Sequence, residues 1–266
     1  MIFETVGDRS KPVIIMINGS FCTGKGLMPI AEKISDKYYV ILPTYDGHHE
    51  NGGIFTTRQE QANKIIDYLR KENIKKIELI QGVSMGAEVA LTLASTIFRT
   101  TDIVVDRYLL DGGPFFKFPK WFRKIMQMKF KGMVHNAQYG TEEEIIERFN
   151  SNKMVQWMIH GDITPYKWYI KDMSLAAPHM TDESICNESD ACYTFDFPEM
   201  PDEEQKKIYF TWSDNEPAVK SKKKLLNHYP HAVYGSAGNL GHGGFMSREP
   251  DKYAELIAKL AEEKIE

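Results

Sequence analysis

Residues 82–86 read Gly82-Val83-Ser84-Met85-Gly86, a Gly-x-Ser-x-Gly pentapeptide whose flanks decide what it means. Ile77-Glu78-Leu79-Ile80-Gln81 precedes it, and Ala87-Glu88-Val89-Ala90-Leu91-Thr92-Leu93-Ala94 follows. The first stretch is strand-like and the second helix-like, which puts the pentapeptide on a sharp strand-to-helix turn. Such a turn needs small residues, because a Cβ at either glycine would collide with the neighbouring strand or helix. It lifts the Ser84 hydroxyl out of the fold and aims the Met85 N–H toward the same space. Two glycines around a serine also arise by chance, so a plain glycine-rich turn competes with a nucleophile when the pentapeptide is read alone.

Two further stretches complete a pattern. Gly238-Asn239-Leu240-Gly241-His242-Gly243-Gly244-Phe245 places a histidine in a glycine-rich loop near the C-terminus. Before it, Ile208-Tyr209-Phe210-Thr211-Trp212 is a strand-like run ending in Ser213-Asp214-Asn215-Glu216-Pro217. Serine, acid, histidine is the chain order of the α/β-hydrolase fold and differs from those of chymotrypsin and subtilisin. On these motifs the chain resembles the α/β-hydrolase superfamily, particularly its small cap-bearing esterases and acyl hydrolases. The resemblance covers most of the chain and is weakest over residues 114–205. It implies a serine hydrolase that cleaves a small-molecule ester or related acyl compound through a Ser-His-acid triad and an acyl-enzyme. No metal or organic cofactor is implied.

A chain of 266 residues suffices for one large α/β domain, or for a core with an insertion. The net charge of −4 gives no reason to invoke nucleic acid. Cys22, Cys186 and Cys192 are too few for a disulfide framework and lack zinc-type spacing, which points to reduced thiols in a cytoplasmic protein. The first residues, Met-Ile-Phe-Glu-Thr-Val, alternate as a strand does and carry no evident signal peptide. No apolar run approaches the roughly 20 residues needed to span a bilayer. The oligomeric state is left open.

Strands are predicted at 2–6, 13–17, 38–42, 77–81, 107–111, 207–212 and 231–235. Val13-Ile14-Ile15-Met16-Ile17 and Tyr38-Tyr39-Val40-Ile41-Leu42 are near-continuously apolar, as strands covered on both faces of a parallel sheet are. Helical spacing of apolar residues predicts helices over 27–36, 58–71 and 250–264, with Pro250 suited to a first turn. The expected fold class is therefore α/β, a mostly parallel sheet flanked by helices with right-handed crossovers. The rhythm breaks between Gly113 and Pro201, where only helices are suggested, at about 119–131, 142–150 and 164–176. So long a stretch makes a poor unstructured loop. Residues 1–113 and 206–266 are expected to form the core, and 114–205 a helical cap over the C-terminal edge of the sheet.

The two ends of this insertion differ in charge. Gly112 to His135 holds Lys117, Lys120, Arg123, Lys124, Lys129 and Lys131 and no acid, whereas Asp182 to Glu204 holds nine acids and no base. Complementary or merely solvated faces explain that plainly. An amphipathic lid is the sharper reading, because Phe115, Phe116, Phe118, Trp121, Phe122, Ile125, Met126 and Met128 interleave with the cations. Such a helix closes over an apolar substrate or rests on a membrane surface. Trp121 and Phe122 are the expected wall of an acyl pocket, together with Phe21.

Ser84 is the expected nucleophile. Its hydroxyl is nearly inert at neutral pH and needs a base, and the resemblance assigns that part to His242. His48 and His49, after Pro43-Thr44-Tyr45-Asp46-Gly47, are expected to be structural or to line the pocket; the other histidines have no motif around them. One oxyanion donor is the Met85 N–H. The other should come from Asn18-Gly19-Ser20-Phe21, with Ser20 placed first and Phe21 second. The family usually has His-Gly where Asn18-Gly19 stand, and Asn18 can still order the loop through its side chain. The resemblance favours Glu216 as the acid, with Asp214 or Asp111 as alternatives. Glu88, one turn beyond Ser84, is expected to pair with a cation.

Two other function classes fit parts of the chain. Gly19-Ser20-Phe21-Cys22-Thr23-Gly24-Lys25-Gly26 nearly spells a phosphate-binding P-loop, with Asp111 as its magnesium ligand, but Gly26 stands where Ser or Thr is needed. A hydrolase fold kept as a catalytically silent binding protein is the second.

Overall fold

Ile14 and Met16 pack into one apolar layer and Ile15 and Ile17 into another, as alternation along a strand covered on both faces requires. Around that strand the computed structural model, which describes residues 1–263, builds seven strands. They are β1 (Ile2–Val6), β2 (Val13–Ile17), β3 (Tyr39–Thr44), β4 (Lys76–Val83), β5 (Val104–Asp111), β6 (Ile208–Thr211) and β7 (Val233–Tyr234). Their order is β1-β3-β2-β4-β5-β6-β7, with β1 antiparallel to β3 and every other neighbour parallel.

One face is covered by α1 (Met28–Ile34), which lays Ile30 and Ile34 against Tyr253 and Ile257 of the C-terminal helix. The other is covered by α2 (Arg58–Lys71) and α3 (Met85–Thr100), through Ile65, Leu69, Leu93 and Ile97. The bounds of α2 match the apolar spacing because Thr57 caps it, its side chain accepting from the Glu60 N–H at 3.1 Å.

Between β5 and β6 the chain forms α4 (Lys120–Gln138), α5 (Glu142–Asn150), α6 (Lys153–Ile159), α7 (Lys167–Ala176), α8 (Asp182–Tyr193) and α9 (Asp202–Gln205). An isolated bridge, Lys117 to Thr194, is the one strand-like pairing there among the described residues. Sequence reading missed α6, α8 and the short α9. Helix α8, Asp-Glu-Ser-Ile-Cys-Asn-Glu-Ser-Asp-Ala-Cys-Tyr, buries Ser184, Glu188 and Ser189 and so shows little apolar periodicity. The opposite charges of the two ends meet: Arg123 pairs with Asp190 at 3.1 Å, Lys131 with Asp182 at 2.9 Å, and Lys117 with Asp196.

The chain ends in α10 (Lys222–His228), α11 (Gly244–Arg248) and α12 (Pro250–Glu262). Residue 264, where the last helix was expected to end, lies outside the described residues. The predicted run 231–235 pairs over only two residues, at the sheet edge. The three cysteines are free, and no helix among the described residues is long and apolar enough to cross a membrane.

Candidate active site

The C-terminal ends of β2, β4, β5 and β6 lie side by side, with Ile17 beside Gly82, Val83 beside Asp111 and Asp111 beside Thr211. Ser84 follows β4 at φ 56°, ψ −124° and starts α3. A non-glycine residue held in such a sparsely populated region costs about 1–3 kcal/mol, so its surroundings must enforce it. They do so by closeness. A Cβ on Gly82 would sit 2.3 Å from the Gly86 carbonyl oxygen, and one on Gly86 2.3 Å from that of Ile17. The Ser84 N–H donates to Asp111 O at 2.8 Å.

The loop after β7 brings His242 to the serine, with Nε2 3.0 Å from Ser84 Oγ. Its Nδ1 bonds Glu216 Oε2. An ionised carboxylate only accepts, so Nδ1 carries the proton and Nε2 is left to accept from the hydroxyl. Glu216 is buried, and its Oε1 takes the Ser213 N–H at 2.8 Å. The histidine loop is fixed from both sides: Ser213 Oγ donates to Gly241 O at 2.7 Å, and the His242 N–H to Met158 O of α6 at 2.8 Å. Burial works to lower the His242 pKa, but the Glu216 charge and hydrogen bond, aided by Asp111, raise it above the ordinary histidine value.

Asp214 does not approach this group. Its N–H is tied to Gly238 O at 2.7 Å and its carboxylate accepts from Ser236 Oγ at 2.8 Å, which turns the side chain outward. Two residues later the chain has turned inward at the start of the 3₁₀ turn Pro217–Ser221, which is why Glu216 arrives. Asp111 is buried at the end of β5 without a bond to His242; burial, then the charge of Glu216, pushes its pKa up to about 7.

A cavity of about 240 Å³ opens beside Ser84 and His242. Ser20 and Phe21 line it, whereas Trp121 and Phe122 do not. Helical phase is the reason for Trp121, whereas Phe122 lies one turn before Met126 on the same side of the helix. Met126, Phe130 and Met133 of α4 line the cavity, whereas Trp121 emerges on the opposite side, 64% exposed. Phe122 packs on Phe118 and Tyr193 instead. Sequence reading also passed over Tyr166 and Tyr169, which line the cavity beside α7.

The loop from Asn18 to Thr23 is held by a set of groups that sequence reading largely missed. Asn18 does order it: Oδ1 accepts from the Gly19 N–H at 2.8 Å and from Tyr169 OH at 2.7 Å, while Nδ2 donates to Thr23 O at 2.6 Å. Phe21 sits at φ 66°, and its N–H donates to Glu188 Oε2 of α8 at 3.0 Å, so it is engaged elsewhere. His48, fully buried, lies against the other Glu188 oxygen. The Thr23 N–H donates to Asp172 of α7 at 2.7 Å. That last contact removes the nucleotide reading. A carboxylate of the protein occupies the loop where a phosphate would have to lie, and a Cβ on Gly26 would be 2.6 Å from it.

Glu88 is buried with Arg58 at 3.8 Å, the cation expected for it. Burial outweighs that partner and lifts its pKa to about 8. The native protein therefore holds a proton that the unfolded chain releases at ordinary carboxylate pH. The associated stability is complete below about pH 4.5 and is lost as pH rises through about 8. Thermal midpoints are expected to fall between pH 6 and 9, with a shallower fall in Glu88→Gln; equal slopes for the two proteins would contradict this.

By sequence, no protein-family model and no curated protein matches the chain. By structure it is similar to a protein of Desulfitobacterium hafniense assigned to the α/β-hydrolase family, with TM-score 0.75 and 19% identity over 97% of this chain and 99% of that one. A carboxylesterase of Nitrososphaera gargenis gives TM-score 0.74 at 17% identity over 98% and 93% of the two chains. The enol-lactonase of Burkholderia xenovorans LB400 gives 0.73 at 14% over 98% and 96%. The fold is the α/β-hydrolase fold, a mostly parallel sheet flanked by helices.

Proposed function

We propose that this chain is a serine hydrolase that cleaves an ester or related acyl bond through an acyl-enzyme. The observation that carries the reading is the hydrogen-bonded series Ser84–His242–Glu216 on a strained turn beside a cavity. Ser84 Oγ attacks the carbonyl while His242 Nε2 takes its proton and returns it to the leaving group. Glu216 holds the tautomer and stabilises the imidazolium. The Met85 N–H, in the first turn of α3 where no intrahelical acceptor exists, and the Ser20 N–H receive the oxyanion. Water then releases the acyl group. Helices α4–α8 act as a cap that supplies the acyl wall. The carboxylesterase and lactonase among the structural neighbours suit this reading.

The cavity suits an uncharged acyl group of modest size, since Phe21, Phe116, Met126, Phe130, Met133 and Phe149 face it and His242 is its one ionisable imidazole. A fluorophosphonate is expected to add once to the wild type and not to Ser84→Ala, read by intact mass. On p-nitrophenyl esters of increasing length, Met133→Ala is expected to shift preference toward longer chains. An unlabelled, folded wild type would instead support a silent binding protein.

A further inference from the structure

The outer face of α4 has no part in the cavity and carries a pattern of its own. Phe130, Val134 and Ala137 are buried, which fixes the inward side of this 19-residue helix. At about 100° per residue, Trp121, Ile125 and Met128 fall together within about 60° of arc on the opposite side. They are 64%, 38% and 66% exposed. Lys120 and Lys124 flank this stripe on one side and Lys129 on the other, all exposed. Lys117, Arg123 and Lys131 are neutralised by Asp196, Asp190 and Asp182, but Lys120, Lys124 and Lys129 have no acidic partner within 4 Å among the described residues. No acid lies anywhere between Gly112 and His135 to soften the field.

An exposed apolar stripe with a tryptophan, bordered by unpaired cations, fits a surface that is apolar inside and anionic at its rim. We propose that α4 docks this chain on anionic lipid membranes, lying in the interface with Trp121, Ile125 and Met128 down and the three lysines among the headgroups. A second copy of the chain fits poorly, because a two-fold contact through this stripe sets lysines against lysines. The opposite side of the same helix lines the cavity with Met126, Phe130 and Met133, so docking puts the bilayer one helix away from Ser84.

Co-sedimentation with vesicles tests this without reference to catalysis, and Ser84→Ala serves beside the wild type. Both are expected to sediment with phosphatidylcholine vesicles in which about a third of the lipid is phosphatidylglycerol, and not with phosphatidylcholine alone. Partitioning is expected to fall about fivefold for each of Lys120, Lys124 and Lys129 changed to Gln, to weaken in high salt, and to drop in Trp121→Ser. Circular dichroism of each variant checks the fold. No sedimentation with either vesicle overturns the proposal, as does equal binding by the triple Lys→Gln variant. A concentration-dependent dimer in sedimentation velocity, abolished by Trp121→Ser, would assign the stripe to self-association and overturn it as well.

Discussion

Ser84→Ala is expected to cost about 10⁶ in kcat, and Glu216→Gln about 10⁴, with KM changed little in Glu216→Gln. The two losses differ because the groups do different things. On the proposed mechanism, no acyl-enzyme forms without Oγ, and only the oxyanion donors and binding remain. A glutamine at 216 can still bond Nδ1, but it no longer pays for the imidazolium that forms as the serine gives up its proton. It can also offer an N–H to His242 and so favour the wrong tautomer. The pH dependence carries the same physics. Because the His242 pKa is raised, the base is lost as pH falls, and the acidic limb of kcat/KM is expected above the ordinary histidine value. Glu216→Gln is expected to move that limb down. Asp111→Asn should move it down less, since Asp111 contributes charge without a bond. Asp214→Asn should leave both rate and limb near wild type, since its carboxylate bonds Ser236. A collapse in Asp214→Asn beside a near-normal Glu216→Gln would overturn the assignment.

The sheet and the turn were readable because their determinants are local. Gly82, Gly86 and the apolar runs around them state a strand, a reversal and a helix within one short window. The carboxylate beside His242 was less so: Ser213-Asp214-Asn215-Glu216-Pro217 offers two candidates, and the tie of the Asp214 N–H to Gly238 turns one of them away. Trp121 and Phe122 were misplaced because density of aromatics says that a helix has an apolar side, not where the cavity lies. The spacing of Met126, Phe130 and Met133 would have put Trp121 on the outward side; Phe122 keeps that spacing and stays out of the cavity because it packs on Phe118 and Tyr193. Asn18 was readable as a loop-ordering side chain, but the distant acids that hold the Asn18–Thr23 loop had no signal. Phe21 and Glu188 are 167 residues apart, Thr23 and Asp172 are 149 apart, and neither acid stands in a motif.

Those two acids make the second large prediction. Glu188→Ala is expected to lower kcat by about 10²-fold while KM changes little, because the Ser20 N–H is only as well placed as the loop that carries it. The variant strands the buried Phe21 N–H, at a cost of about 1–3 kcal/mol, and leaves His48 without its carboxylate. Phe21, at positive φ, then has less to hold it there. Glu188→Gln keeps an acceptor for that N–H and is expected to recover most of the rate. Asp172→Ala frees the Thr23 N–H at the far end of the loop and should act in the same direction. A lost oxyanion donor weakens a tetrahedral phosphonate more than a ground-state ligand, so the comparison of inhibitor affinities separates positioning from general loosening. If Glu188→Ala melts earlier yet keeps its kcat and its phosphonate affinity, the carboxylate serves stability alone. Because Glu188 and Asp172 sit on α8 and α7, a kcat effect would mean that the helices over the site set the oxyanion loop as well as covering it.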